Sequence, residues 1–282
     1  STIFPQNIAM GATGNVDLMI THGKITAFET RAAGIPWNFN PVLGLARQPM
    51  WPRVFETFGE DPYLASVMGA SYIRAQQGDD ISDVTKVATC MKHYLGYSVP
   101  HSGRDRTPAY IPERQLRQIF VKPFAAAVEA GTATCMVNSS EINGIPVHAS
   151  PFYLKDLLRD DLGFQGFVVS DWDSIRQLQI HGLTADDRES AYEAASAGVQ
   201  MEMHGDAYTN QLAGLVESGA IDIALVDEAV TNILRVKFQL GLQVLENLLS
   251  GELAEEEDLE DKGFLELFEL DHRLADPVSE FL

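Results

Sequence analysis

Gly166-Phe-Val-Val-Ser-Asp-Trp172 is the stretch on which the fold turns. Phe167, Val168 and Val169 form a short apolar, β-branched run of the kind that is buried on both faces of a sheet. The run breaks abruptly into Ser170, Asp171 and Trp172. A buried strand that delivers a carboxylate at its C-terminal end is the unit from which α/β proteins build their sites. Taken alone, the spacing reads more readily as a helix N-cap than as a catalytic carboxylate. Asp173 and Ser174 compete for that capping role.

The same pattern recurs outward from this point. Strands are predicted at 34–40, 87–94, 132–139, 166–170 and 198–203. Between them lie helical patterns at 63–77, 113–130, 151–160, 188–197 and 206–218, with a long final helix at 222–240. Alternation of this kind means parallel βα units, arranged either as a closed barrel or as an open doubly wound sheet. No Gly-x-Gly-x-x-Gly follows any strand, which counts against a dinucleotide-binding sheet. Each predicted strand instead runs into polar residues. Arg47 and Arg53 follow the first, Lys92 and His93 end the second, and Asn138 and Glu141 follow the third. Asp171 ends the fourth, and Glu202 and His204 close the fifth. Barrel enzymes assemble their sites at that face from several strands. The expected fold is therefore α/β, a (β/α)8 TIM-type barrel. Only five strands are legible, and the helical opening segment 4–33 follows none of them, whereas a full barrel needs about eight. An incomplete or modified barrel over residues 1–242 is expected.

The chain has 282 residues and 45% hydrophobic content, enough for one sizeable core. Its net charge of −20 repels phosphate backbones, so a nucleic-acid partner is not expected. More than half of that charge falls in residues 243–282, where 13 acidic side chains face 2 basic ones. Leu245, Leu248, Leu249, Phe264 and Phe268 are set among those acids, so the segment reads as an acidic amphipathic tail, docking or irregular. No run of 18 apolar residues occurs, so no membrane partner is expected. No signal peptide is expected at the start, which opens on Ser1. Cys90 and Cys135 each sit in an apolar run and read as buried thiols rather than as a disulfide or metal site.

Several ordered blocks carry a family resemblance. They are FPQNIAM at 4–10, ETRAAGIPWNFNPVL at 29–43, WPRVFETFGEDPYL at 51–64, MKHYLGYS at 91–98, SGRDRTP at 102–108, MVNSSEINGIPVHAS at 136–150 and LGFQGFVVSDW at 162–172. Together these resemble the barrel domain of glycoside hydrolase family 3, the β-glucosidase and exo-β-glucanase group, over residues 3–242. Glycosidases of this kind work with two carboxyl groups about the scissile bond. The resemblance makes Asp171 the nucleophile of a retaining enzyme and Lys92, His93 and Arg53 the residues that hold sugar hydroxyls. Two adjacent strand residues face opposite ways, so Lys92 and His93 can share a ligand only if the strand is distorted there. Trp172 is a candidate platform for a sugar face. Glu141 is a candidate ligand contact or a structural salt bridge, with His148 and Arg104 weaker candidates. Asn138-Ser-Ser140 is a glycosylation sequon expected to be buried.

The departures bear on activity. The family's first strands and its second α/β domain, which supplies the general acid/base, have no counterpart in these blocks. Gly44 and Gln200 replace two family-typical Asp residues. The resemblance implies a β-glucoside or β-glucan oligosaccharide as substrate and no cofactor or metal. It also implies a secreted, periplasmic or lysosomal location. A homo-oligomer or a partner chain covering the incomplete barrel fits the missing strands. The alternative is a truncated relative, impaired in catalysis, that binds sugar or protein.

Overall fold

The computed structural model of the protein describes residues 2–242. The amphipathic tail predicted at 243–282 lies outside them. The chain opens on two helices, α1 (Asn7–Ala12) and α2 (Val16–Ala32). Asn15 starts α2, its side-chain oxygen accepting from the amides of Asp17 and Leu18 at 3.0 and 3.2 Å. α2 packs along α3 (Pro62–Gln77), which begins at the Asp61 cap with Pro62 in its first turn. The two helices approach so closely that a Cβ at Gly23 would stand 2.7 Å from the Ala75 methyl.

β1 (Cys90–Tyr94) follows α3. Next come α4 (Glu113–Gln115), a π-helical turn Leu116–Phe120 and α5 (Val121–Glu129), three coaxial pieces of the helix predicted at 113–130. β2 (Thr134–Val137) then leads into the hairpin of β3 (Glu141–Ile142) and β4 (Ile145–Pro146). That hairpin was not anticipated, although its Asn143-Gly144 pair is the usual signal for a two-residue turn. Both residues take positive φ, 55° and 83°. Phe152–Asp161 is wound as a π-helix, and β5 (Phe167–Val169) follows. The chain then forms α6 (Asp187–Ala197), α7 (Ala207–Glu217) and α8 (Ile223–Gln239).

The sheet decides between the two expected architectures. β1, β2 and β5 lie side by side and parallel. The first predicted strand pairs with the outer edge of β1 through Trp37–Ala88 and Val42–Lys92 bridges, slightly later in the chain than 34–40. The fifth is reduced to one parallel bridge, Val169–Met201. The five segments thus stand in chain order across the sheet, without the reversal that defines a doubly wound fold. This is a TIM-barrel-like arrangement. Among the described residues no backbone hydrogen bond joins the 37–42 edge to the 201–203 edge, so the circle is not closed within them.

Alternation along the strands divides the core. Met91, Cys135, Val137 and Val168 face the helices, packing with Ile73, Phe124, Leu154 and Ala194. Each Val, Ile, Leu, Phe or Met side chain among them, taken fully out of water, contributes about 1.5–3 kcal/mol. Cys90, Met136, Phe167 and Val169 face the other way and pack with Val236 of α8 and with Leu240 just after it. Cys90 and Cys135 are buried free thiols on these two opposite faces. Gln200 takes over a structural tie at the fifth segment. Its side-chain oxygen accepts from Arg159 at 2.8 Å and from the Val168 amide at 3.2 Å.

Candidate active site

The C-terminal ends of the strands gather the predicted residues. β1 pairs Met91 with Cys135 and then Tyr94 with Val137, so three steps on β1 match two on β2. This extra residue is the distortion that lets Lys92 and His93 depart from strict alternation. The Lys92–His93 peptide bond is cis. His93 is 3% exposed, and its Nε2 lies 3.6 Å from Asp171 Oδ2 and 3.2 Å from Arg53 Nη2. One imidazole edge thereby bridges a loop arginine and the carboxylate at the end of β5.

Arg53 is oriented before any ligand arrives. Glu56 accepts from its Nε at 2.7 Å and from Nη2 at 2.9 Å, a bidentate pair only three residues apart in the chain. Nη1 lies 3.4 Å from the Tyr97 hydroxyl. Burial opposes the guanidinium charge, but Glu56, Tyr97 and Asp105 outweigh it and hold the Arg53 pKa above its ordinary value. Asp105 also accepts from Trp51 Nε1 at 2.8 Å, so both ends of the Trp51-Pro-Arg53 block are anchored. Lys92 is largely enclosed, and burial pushes its ammonium below the ordinary lysine pKa. A cavity of about 620 Å³ opens beside Arg53 and Lys92, lined also by Phe39, Asn40, Glu56 and Tyr72.

Asp171 is 8% exposed. Its Oδ1 accepts from the Trp172 amide at 2.6 Å and its Oδ2 accepts from Ser139 Oγ at 2.7 Å. Ser139 in turn accepts from Ser174 Oγ at 3.0 Å. The N-cap reading is overturned: no helix-starting amide beyond its neighbour reaches the carboxylate, and the short 3-10 turn Arg176–Leu178 has no side-chain cap at all. Burial alone would raise the Asp171 pKa. The Ser139 hydroxyl, the Trp172 amide and the nearby Arg106 charge favour the anion, as would a protonated His93, and the carboxyl is held below its ordinary value. His93 itself is driven well below its ordinary pKa by burial. At neutral pH the pair therefore carries one negative charge, on Asp171, beside a neutral imidazole.

The remaining candidates flank this centre. Trp172 is 55% exposed, with one face stacked on His204 at 3.8 Å between ring centroids and 15° between planes. Its carbonyl accepts from Arg106 and Gln177, each at 3.3 Å. Glu141 Oε1 lies 2.7 Å from His181 Nδ1, a hydrogen-bonded pair rather than a free carboxylate. His148 is buried, with no hydrogen-bond partner on Nε2 among the described residues, and burial pushes it down to about 4. Arg104 is exposed. Asn138 is fully buried, its amide donating to the Leu95 carbonyl and its oxygen accepting from Ser140. Glu202 caps the start of α7, accepting from Tyr208 at 2.8 Å, and takes no part in the cluster.

Glu56, Tyr97, Ser139 and Ser174 were missed by sequence reasoning. Glu56 lies in the same block as Arg53 and at ion-pair spacing, a usable signal. The two serines carry no spacing signal. Gly44 stands against Ser98, whose buried hydroxyl has no partner among the described residues, and a Cβ at 44 would meet it at 3.1 Å. No group of three His, Cys, Asp or Glu among the described residues is placed to hold a metal ion. No described helix is long and apolar enough to cross a membrane.

Comparison with known proteins gives the family. The glycosyl hydrolase family 3 N-terminal domain matches residues 1–236. A lysosomal beta glucosidase of Dictyostelium discoideum is 44% identical over 251 residues, covering 86% of this chain and 31% of its own. A periplasmic beta-glucosidase of Salmonella typhimurium is 34% identical over 241 residues, covering 86% and 32%. The crystal structure of a beta-glucosidase from Listeria innocua in complex with glucose superposes with a TM-score of 0.84 at 32% identity, over 86% of this chain and 34% of that one. The chain spans about a third of the length of these relatives. With the match running through every block that carries the Arg53, Lys92, His93 and Asp171 cluster, the chain belongs to glycosyl hydrolase family 3, within that family's N-terminal domain.

Proposed function

We propose that the chain is the nucleophile-bearing part of a retaining β-glucosidase acting on terminal β-D-glucosyl residues. An enclosed Asp171 lying 3.6 Å from His93, which in turn meets Arg53 at 3.2 Å, is the observation that carries this reading. An Asp171 oxygen forms a bond to the anomeric carbon while the glycosidic C–O bond breaks and an acid protonates the leaving oxygen. Water then attacks the same carbon, gives its proton to that group as base, and frees the carboxylate. Lys92, His93 and Arg53 hold the glucosyl hydroxyls, Trp172 offers its open face to the sugar, and Glu141 lies at the site's margin. The relatives named as beta-glucosidases, and the Listeria innocua enzyme with glucose bound, support the substrate class. The acid/base is matched to no residue of the described cluster; it comes from residues 243–282, from a further domain or from a partner chain, and without it natural glycosides are turned over slowly.

The test is labelling with 2,4-dinitrophenyl 2-deoxy-2-fluoro-β-glucoside, whose leaving group needs no acid. Intact-mass and peptide analysis is expected to find one glucosyl adduct, on Asp171. No adduct, or an adduct elsewhere, would sink the assignment. The corresponding β-xyloside serves as the competing substrate class, since a beta-xylosidase of Formosa agariphila is 35% identical over 254 residues.

A second reading rests on the open sheet. The edges at 37–42 and 201–203, unpaired among the described residues, and the exposed stripe Val230, Leu234 and Phe238 on α8 favour cover by another segment or by a second copy. In this form the chain binds sugar or protein without turnover. Deleting residues 243–282 and measuring solubility and mass in solution separates the readings: an unchanged monomer argues against cover by that segment.

A further inference from the structure

We propose that Ser139 is a positioning residue for Asp171, working through a one-way hydroxyl relay that begins at Ser174. The inference rests on the reading of Asp171 as nucleophile. Three observations carry it. Ser139 Oγ lies 2.7 Å from Asp171 Oδ2, and an ionised carboxylate only accepts, so the Ser139 proton points at Asp171. Having donated its one proton, Ser139 is left with lone pairs, and Ser174 Oγ at 3.0 Å donates into them. Both serines are 2% exposed, so water does not compete for these bonds.

The relay ties two elements together. Ser139 stands just past β2, whereas Asp171 and Ser174 belong to the loop after β5, where the Ser174 amide donates to the Asp171 carbonyl at 3.1 Å. The carboxylate is therefore held from its own loop through the Trp172 amide and from the neighbouring strand through Ser139. Two donors on two oxygens fix the carboxylate plane, and attack on an anomeric carbon depends on that orientation. The Ser139 hydroxyl also stabilises the anion over the neutral acid. In the second step Asp171 is the leaving group, and the same bond strengthens as its negative charge returns.

The test uses the full 282-residue chain in four forms: wild type, Ser139→Ala, Ser139→Thr and Ser174→Ala. The first readout is the Asp171 side-chain carboxyl followed by ¹³C NMR against pH, which needs no turnover. Ser139→Ala is expected to move its titration to higher pH, Ser174→Ala to move it less, and Ser139→Thr to restore it. The second readout is the rate of Asp171 labelling by the fluoroglucoside, expected to fall about tenfold or more in Ser139→Ala, as losing about one charge-assisted hydrogen bond would do. Its acid limb is expected to shift upward with the titration. An unmoved titration in folded Ser139→Ala, or labelling at the wild-type rate, overturns the relay. A titration that responds while wild type takes no label upholds the relay and overturns Asp171 as nucleophile instead.

Discussion

Arg53 Nη2 stands 3.2 Å from His93 Nε2. A guanidinium has only donors, so the facing imidazole nitrogen must accept, and the ring proton must sit on Nδ1. Nδ1 is buried and has no partner among the described residues. The site therefore holds a neutral histidine whose one proton is unspent, next to a carboxylate that is charged.

That relationship predicts the His93 tautomer. Imidazole ¹⁵N shifts are expected to report a neutral Nδ1–H ring at neutral pH, since burial holds the pKa well below its ordinary value. An imidazolium signal for His93 at pH 6 would contradict it, because an Nε2–H cannot face Arg53.

Glu56 is predicted to act on ligand through Arg53. Glu56→Gln replaces a two-oxygen acceptor by one, freeing Arg53 from its bidentate hold. The expected loss is about 1–2 kcal/mol of affinity, roughly tenfold, for the glucose-shaped inhibitor isofagomine by calorimetry. Unchanged affinity would mean that the bidentate hold of Glu56 is not what positions Arg53.

The pH dependence of stability should carry the mark of His148. Its folded pKa is about 4, against 6.5 for an unhindered ring. Between those values the unfolded chain binds the extra proton, so stability is full above pH 6.5 and falls on acidification towards pH 4. The loss attributable to this ring is on the order of 3 kcal/mol. Urea denaturation at several pH values is expected to show a flatter profile in His148→Gln, and an unaltered slope would assign the effect elsewhere.

Gly166→Ala is predicted to be strongly destabilising. An added Cβ would fall on the Ala133 carbonyl oxygen, at the point where β2 and β5 begin to run together. Backbone cannot yield as a side-chain tip does, so a cost of about 3 kcal/mol is expected, read as a lowered Tm by calorimetry.

Much of the fold was legible in the residues. Apolar runs with polar C-terminal ends located β1, β2 and β5, and the helices fell within a few residues of 63–77, 188–197, 206–218 and 222–240. The edge segments were less well read. The first pairs through isolated bridges and the fifth through one, and among the described residues each has a neighbour on only one side. The β3–β4 hairpin was overlooked because each of its strands has only two residues, too few to show a period.

By itself the sequence determined the family, the strand-and-helix alternation and the positions of Arg53, Lys92, His93 and Asp171 at strand ends. These follow from local periodicity and from ordered blocks, both of which are written along the chain. Tertiary structure alone decided their partners: Ser139 with Asp171 across 32 residues, Arg53 with His93 across 40, Glu141 with His181 across 40, and His204 under Trp172. Such pairs form because parallel βα units stack their loops at one face. A hydroxyl or imidazole has no sequence period that foretells which loop it will meet.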